Sequence, residues 1–214
     1  MTDGRWTVRQ FSSYHLSVPE VLLDLTLEDR VLDAAKACCE RWGMAKVTVD
    51  DIAAEARCSR ATVYRLFPGG KDNLYEALRQ RSTREFFSEL DAHLAEATSY
   101  EELLVRGLVA ATRALRDDEH LQLMLASSPG EVMTELTVAG LPRIFDAATL
   151  FLTPRFAPHI GTEASGRLAE WLARVVISYF LSPSRHVDLG DPGSARQFVD
   201  QFVLPAFPAL SREA

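Results

Sequence analysis

A chain of 214 residues that is 47% hydrophobic and 25% charged has enough apolar material for a sizeable core in one or two domains. Its net charge of −7 argues on its face against a nucleic-acid partner, and no stretch approaches the roughly 18 uninterrupted apolar residues of a membrane span. Three cysteines, two of them adjacent, and the lack of a signal-peptide layout give a reducing, cytoplasmic setting as the expectation.

Residues 1–25 carry scattered aromatics (Trp6, Phe11, Tyr14) with little periodicity and read as an N-terminal extension. Arg5 and Arg9 leave open an arm that reaches DNA; the sparse signal favours a mobile extension instead. A helix is expected from Leu27, capped by Thr26. Leu27, Val31, Ala35, Cys38 and Trp42 recur at helical spacing, and Gly43 ends it. Cys38 and Cys39 then point about 100° apart on that helix and suit no common zinc layout. They read as small helix residues, while Cys58 further on leaves a thiol sensor open.

The stretch from Thr48 to Leu74 reads as helix, tight turn, helix, and the start of another helix. Thr48 with Asp51 is a near-match to a capping box, and Asp50 and Asp51 suit the positive end of a helix dipole. Ile52, Ala53 and Ala56 form one apolar face. Arg57-Cys58 is the turn, and Ser59 caps a second short helix whose Val63 and Phe67 face inward. Arg60, Ala61, Thr62, Tyr64 and Arg65 are left toward solvent. Between Arg57 and Lys71 there are four basic residues and no acidic one. A short helix with a small, polar and basic outer face is what a major groove admits.

The run Ser59 to Phe67, S-x-x-T-V-Y-x-x-F, followed by Lys71 and Leu74, resembles the TetR family of bacterial transcriptional regulators over about residues 27 to 75. Three positions depart from the family pattern. Arg57 stands where glycine is common, in a turn that needs positive φ, at a cost of roughly 1 kcal/mol. Leu66 replaces a frequent histidine or tyrosine and removes one phosphate contact. Pro68-Gly69-Gly70 is one residue longer than the usual spacer. The resemblance implies an inverted-repeat double-stranded DNA operator, a homodimer pairing two helices with two from its partner, and a small-molecule pocket in the second domain. In that arrangement Arg60 reads a base, Ala61 allows close approach, and Thr62 and Tyr64 hold phosphates with help from Thr48, Ser59 and Lys71. Arg65 can serve either role.

Charge distribution answers the net acidity. Residues 1–81 hold twelve Lys and Arg against twelve Asp and Glu, whereas residues 82–214 hold 11 against 18. The acidity lies away from the proposed DNA face, although the global field still weakens binding and sharpens its salt dependence.

Lys71 opens a long helix to about Ala97, with Leu74, Leu78, Phe87, Leu90 and Leu94 as its apolar line and a domain boundary near Ser82. Helices follow at Tyr100–Arg116, at His120–Ser127, and from Glu131 to about Leu152, the last kinked or split by Gly140 and Pro142. Pro154 and Pro158 are expected to bound a loop. From Leu168 to Leu181 only Glu170, Arg174 and Ser178 make a polar stripe, so this helix must bury two sides, one against a partner subunit. A final amphipathic helix carries Ala195, Phe198, Val199, Phe202 and Val203. Leu172, Val176, Phe180, Phe198 and Phe202 are the expected dimer contacts. Met124, Met133, Phe145, Phe151, Trp171 and Tyr179 are candidates to line a ligand cavity, with Arg143 for an anionic group or for solvent.

The expected fold is therefore all-α. It has an N-terminal three-helix DNA-binding unit with the helix-turn-helix over residues 26–81, then a helical ligand-binding and dimerisation domain over 82–214. The expected function is a DNA-binding regulator released from its operator by a small apolar or amphipathic ligand. A helical adaptor using the helix-turn-helix for protein contacts and a ligand-independent DNA-binding dimer are the alternatives. The five histidines sit beside no nucleophile motif, and no Walker loop, dinucleotide fingerprint or H-E-x-x-H occurs. No enzyme activity, metal or cofactor is expected.

Overall fold

A computed structural model of the chain describes residues 18–127, 129–130 and 140–210. Every regular element among them is helical. Helix α1 spans Val18–Trp42, α2 Val49–Glu55, α3 Arg60–Leu66 and α4 Lys71–Ala95. They are followed by α5 at Tyr100–Asp117, α6 at Glu119–Ser127, α7 at Leu141–Ile160, α8 at Thr162–Leu181 and α9 at Pro192–Phe198. A five-residue π-helical segment, Val199–Val203, continues α9.

Two separate clusters of buried side chains organise these helices. In the first, Val31, Ala35 and Cys38 of α1 meet Ile52 and Ala53 of α2, Val63 of α3, and Leu74 and Tyr75 of α4. Helices α2 and α3 have seven residues each, too short to persist alone in water, so this shared core is what holds them. The second cluster joins Leu90 and Leu94 of α4 to Leu104 and Leu108 of α5, Phe156 of α7, Leu168 and Leu172 of α8, and Val199 and Val203. Full burial of each such aliphatic side chain contributes about 1.5–3 kcal/mol. Among the described elements only helix α4 feeds both clusters, and its 25 residues span roughly 37 Å. Ser82 falls between its two sets of buried residues.

Four features differ from the sequence reading. Helix α1 starts at Val18, nine residues before the expected Leu27, and runs through Thr26. Pro19 stands in its first turn, where a missing N–H costs nothing. Trp42 is 41% exposed, because the helix ends there and Gly43, at φ 80°, turns the chain away; the Arg41 guanidinium lies 5.1 Å from its ring centroid. Pro154 and Pro158 do not bound a loop but lie inside α7. Both are exposed and follow Leu150 at intervals of four, so the carbonyls left without a donor lie on the outer face, where water can satisfy them. The kink expected at Gly140 and Pro142 is instead the start of α7. Arg5 and Arg9, Met133, and the expected helix over 131–139 lie outside the described residues.

Helices α7 and α8 are joined by Gly161 alone, at φ 80°, and pack antiparallel along their length. A Cβ at Gly166 would lie 3.7 Å from Thr149, an ordinary contact across the pair. On α8 the stripe Glu170, Arg174 and Ser178 is exposed, with Arg174 Nε donating to Glu170 at 3.0 Å.

Candidate nucleic-acid interface

The helix-turn-helix is fixed by reciprocal caps. Thr48 N donates to Asp51 Oδ2 at 2.9 Å, and Asp51 N donates to Thr48 Oγ1 at 3.2 Å. The Thr48 hydroxyl, donating to Asp51 Oδ2 at 2.6 Å, and then the Thr48 N–H hold the Asp51 carboxyl below its usual range. At the other end of α2, Arg30 of α1 donates to the Ala56 carbonyl at 2.7 Å, placing a cation at the negative end of the dipole. Periodicity gave no hint of this role. Ser59 Oγ caps α3 by accepting from Thr62 N at 3.1 Å.

Arg57 sits at φ 53°, the one described non-glycine residue with positive φ. Cys58 N donates to Ala53 O at 2.9 Å, which closes the turn around it. Replacing Arg57 with glycine is expected to stabilise the fold by up to about 1 kcal/mol, read as a raised thermal midpoint. An unchanged or lowered midpoint would mean that the arginine side chain offsets the strain.

On α3, Val63 is fully buried and Phe67 is 4% exposed, which sets the helix's rotation. Arg60, Ala61, Tyr64 and Arg65 are exposed, Thr62 is half-buried, and Ser59 and Thr48 are exposed beside them. Arg60 is not idle. Its Nη1 donates to Asp50 Oδ2 at 3.0 Å, its Nη2 lies 3.5 Å from the Tyr64 hydroxyl, and its guanidinium carbon is 5.5 Å from the Tyr64 ring centroid. The Tyr64 hydroxyl and then Asp50 raise the Arg60 pKa further. This bridge ties the N-terminus of α2 to that of α3.

The turn after α3 holds Tyr64 from below. A Cβ at Gly70, which has φ 72°, would lie 2.9 Å from the Tyr64 ring. Lys71 is half-buried. Its Nζ donates to Met44 O at 2.8 Å and lies 5.3 Å from the Tyr75 ring centroid. The ammonium is thus anchored at the loop between α1 and α2, with two of its three N–H groups left for a phosphate.

Cysteine chemistry finds no support here. Cys38 and Cys39 are buried, and Cys39 Sγ contacts the Tyr75 hydroxyl at 3.4 Å. Burial pushes the Cys58 thiol up, away from the thiolate form a sensor uses.

The structure does not gather the candidate ligand residues into one cavity. Met124 is buried at 5% exposure on α6. Phe145 lies under the Arg174 guanidinium at 4.1 Å, and Phe151 packs on Phe87 at 4.7 Å. Trp171 and Tyr179 meet Phe198 at 6.5 and 5.9 Å. Arg143 is exposed and pairs with Glu76 of α4 at 2.9 Å. A cleft of about 890 Å³ lies elsewhere, walled by Lys36 and Glu40 of α1, Phe86 and Leu90 of α4, and Val105 and Val109 of α5.

Among the expected dimer contacts, Leu172, Val176 and Phe198 are 5–7% exposed within the single chain and belong to its own core. Phe180 is half-buried, and Phe202 is 53% exposed because the π-helical step turns it off the buried face of Val199 and Val203. Leu150 on α7 is 81% exposed.

Residues 31–78 match the family model described as bacterial regulatory proteins, tetR family. An uncharacterised HTH-type transcriptional regulator of Mycobacterium tuberculosis is 27% identical over 186 residues, which is 87% of this chain and 88% of that protein. The TetR family repressor AlkX from Dietzia sp. strain DQ12-45-1b, implicated in biodegradation of n-alkanes, shares the fold at a TM-score of 0.59 and 23% identity, covering 81% of this chain and 93% of its own. SmeT, the repressor of the Stenotrophomonas maltophilia multidrug efflux pump SmeDEF, does so at 0.50 and 22%, covering 86% and 91%.

Proposed function

Because this chain is a DNA-binding transcriptional regulator of the TetR family, we propose that it works as a dimeric repressor, released from an inverted-repeat operator by a small amphipathic ligand. The observation that carries the DNA half of this reading is the outward face of α3. Val63 and Phe67 bury one side of that short helix, and the side left to solvent is small, polar and basic. The two solved relatives named above are described as repressors, which supports repression over activation.

The ligand half rests on the cleft and on α4. An apolar floor at Phe86, Leu90, Val105 and Val109 beneath a charged rim suits an amphipathic molecule. Helix α1 lines the cleft through Lys36 and Glu40 and α4 through Phe86 and Leu90, so an occupant touches the second buried cluster and the helix that leads to the first.

The dimer surface is drawn outward from the expected one. Val176→Asp would bury a charge in the protomer's own core and report on folding. Leu150, exposed on the α7–α8 hairpin, is the informative residue. A stable interface of the obligate kind buries about 2,000 Å² or more in total. Enrichment of duplexes from a random-sequence pool is expected to yield an inverted repeat, and light scattering is expected to give twice the chain mass. Leu150→Glu should lower both the dimer fraction and the enrichment. A parent protein that stays monomeric, or that enriches only single half-sites, would overturn the dimer; one that enriches no sequence would overturn the regulator reading.

A further inference from the structure

The cap on α2 uses only one of its two N-terminal aspartates. Asp51 closes the reciprocal box with Thr48. Asp50 takes no part in it and instead accepts from Arg60, ten residues on, at 3.0 Å. An aspartate on a surface meant for phosphates is electrostatically costly, because like charge weakens the sequence-independent part of DNA binding. Its placement against the first residue of α3 gives it a purpose.

Resting on the regulator reading, we infer that Asp50 is a positioning residue for sequence discrimination: it holds the Arg60 guanidinium across the mouth of α3, against Tyr64, and makes that group costly to spend on an arbitrary phosphate. The side chains of Arg60 and Asp50 are 59% and 64% exposed, so water and salt screen the pair and it can exchange. Tyr64 supplies the opposing wall, with its ring 5.5 Å from the guanidinium carbon and its hydroxyl 3.5 Å from Nη2. Between them the planar fork has one nitrogen on Asp50, one near Tyr64, and its remaining donors free. A guanine edge offers two acceptors in a plane and can take the fork bidentately without displacing a partner on its far side. A phosphate can also take the fork bidentately, but it brings a full negative charge beside the Asp50 carboxylate, which a neutral guanine edge does not. Asp50 therefore weakens non-specific binding more than specific binding, and the difference is specificity.

The test is Asp50→Asn in the full chain. Two duplexes serve as probes: the sequence that the parent enriches from a random pool, and a shuffled sequence of the same composition. For the shuffled duplex, affinity is expected to rise about fivefold, with a salt slope steeper by about one charge. For the enriched duplex, affinity is expected to stay within about twofold, so the ratio of the two falls. Glu55→Gln neutralises another acid on α2, one paired with Arg41 at 3.2 Å, and should leave the ratio unchanged. Thermal melting of Asp50→Asn should match the parent, since the Thr48–Asp51 box is untouched. Equal gains on both duplexes would reduce Asp50 to a bystander charge and overturn the inference, as would no gain on either. A parent that enriches no duplex at all would instead sink the regulator reading, before the variant is made.

Discussion

Arg60→Ala is expected to cost about 1–3 kcal/mol of operator affinity and to relax sequence preference at one base-pair position. Arg60 is the first residue of α3, and Ser59 before it caps the helix, so the guanidinium is carried at the end that leads into a groove. Val63 and Phe67 lock the rotation of α3, which limits where that side chain can reach. Lys71→Ala provides the contrast. Its ammonium is anchored on Met44 O in the loop between α1 and α2, which leaves two N–H groups for a phosphate. Its loss should weaken all duplexes alike and lower the salt slope by about one charge. If Arg60→Ala behaved like Lys71→Ala, α3 would lie against the backbone and not in the groove.

What could be read before the structure was whatever depends on short-range spacing. Thr48 and Asp51 stand three residues apart, and that spacing alone specifies the capping box. Val63 and Phe67 stand four apart, and that spacing fixes the face of α3. Arg57 was legible as a strained turn because the family resemblance puts glycine, and so a positive φ, at that place. What short spacing left open depends on what lies across the fold. Pro154 and Pro158 stop a helix only if the carbonyls they leave unbonded are buried, and periodicity could not reveal that both prolines sit on an outer face. Val176 and Phe198 are apolar whether they meet a partner subunit or their own core; only the packing of α5, α7 and α8 decides. The Asp50–Arg60 bridge joins the starts of two helices ten residues apart, a distance no helical period encodes. Its signal, an aspartate left over after the cap is complete, becomes visible once Asp51 is known to hold that cap.

The second large effect expected is mutual exclusion between ligand and operator. The two α3 helices of a dimer must sit about 34–36 Å apart to enter successive major grooves. Helix α4 has Leu74 and Tyr75 in the cluster that holds α3, and Leu90 and Leu94 in the second cluster, whose Leu90 lines the cleft. No break interrupts its 25 residues between them. A ligand seated between α1 and α4 acts on this rod near its middle, at Phe86 and Glu89, and a small tilt there displaces α3 at the far end. A hundredfold loss of operator affinity needs roughly 2.7 kcal/mol of coupling, and the ligand must favour the misaligned state by that amount. Reciprocity then requires operator DNA to weaken the ligand by the same factor. Calorimetry of a cleft-binding amphiphile found by screening, titrated into the free dimer and into the dimer–operator complex, measures both sides of the cycle. Phe86→Trp, which fills the cleft floor without touching α3, should weaken the ligand and spare operator binding. Equal ligand affinity in the two titrations would show that occupancy of the cleft does not reach α3, and regulation through α4 would have to be abandoned.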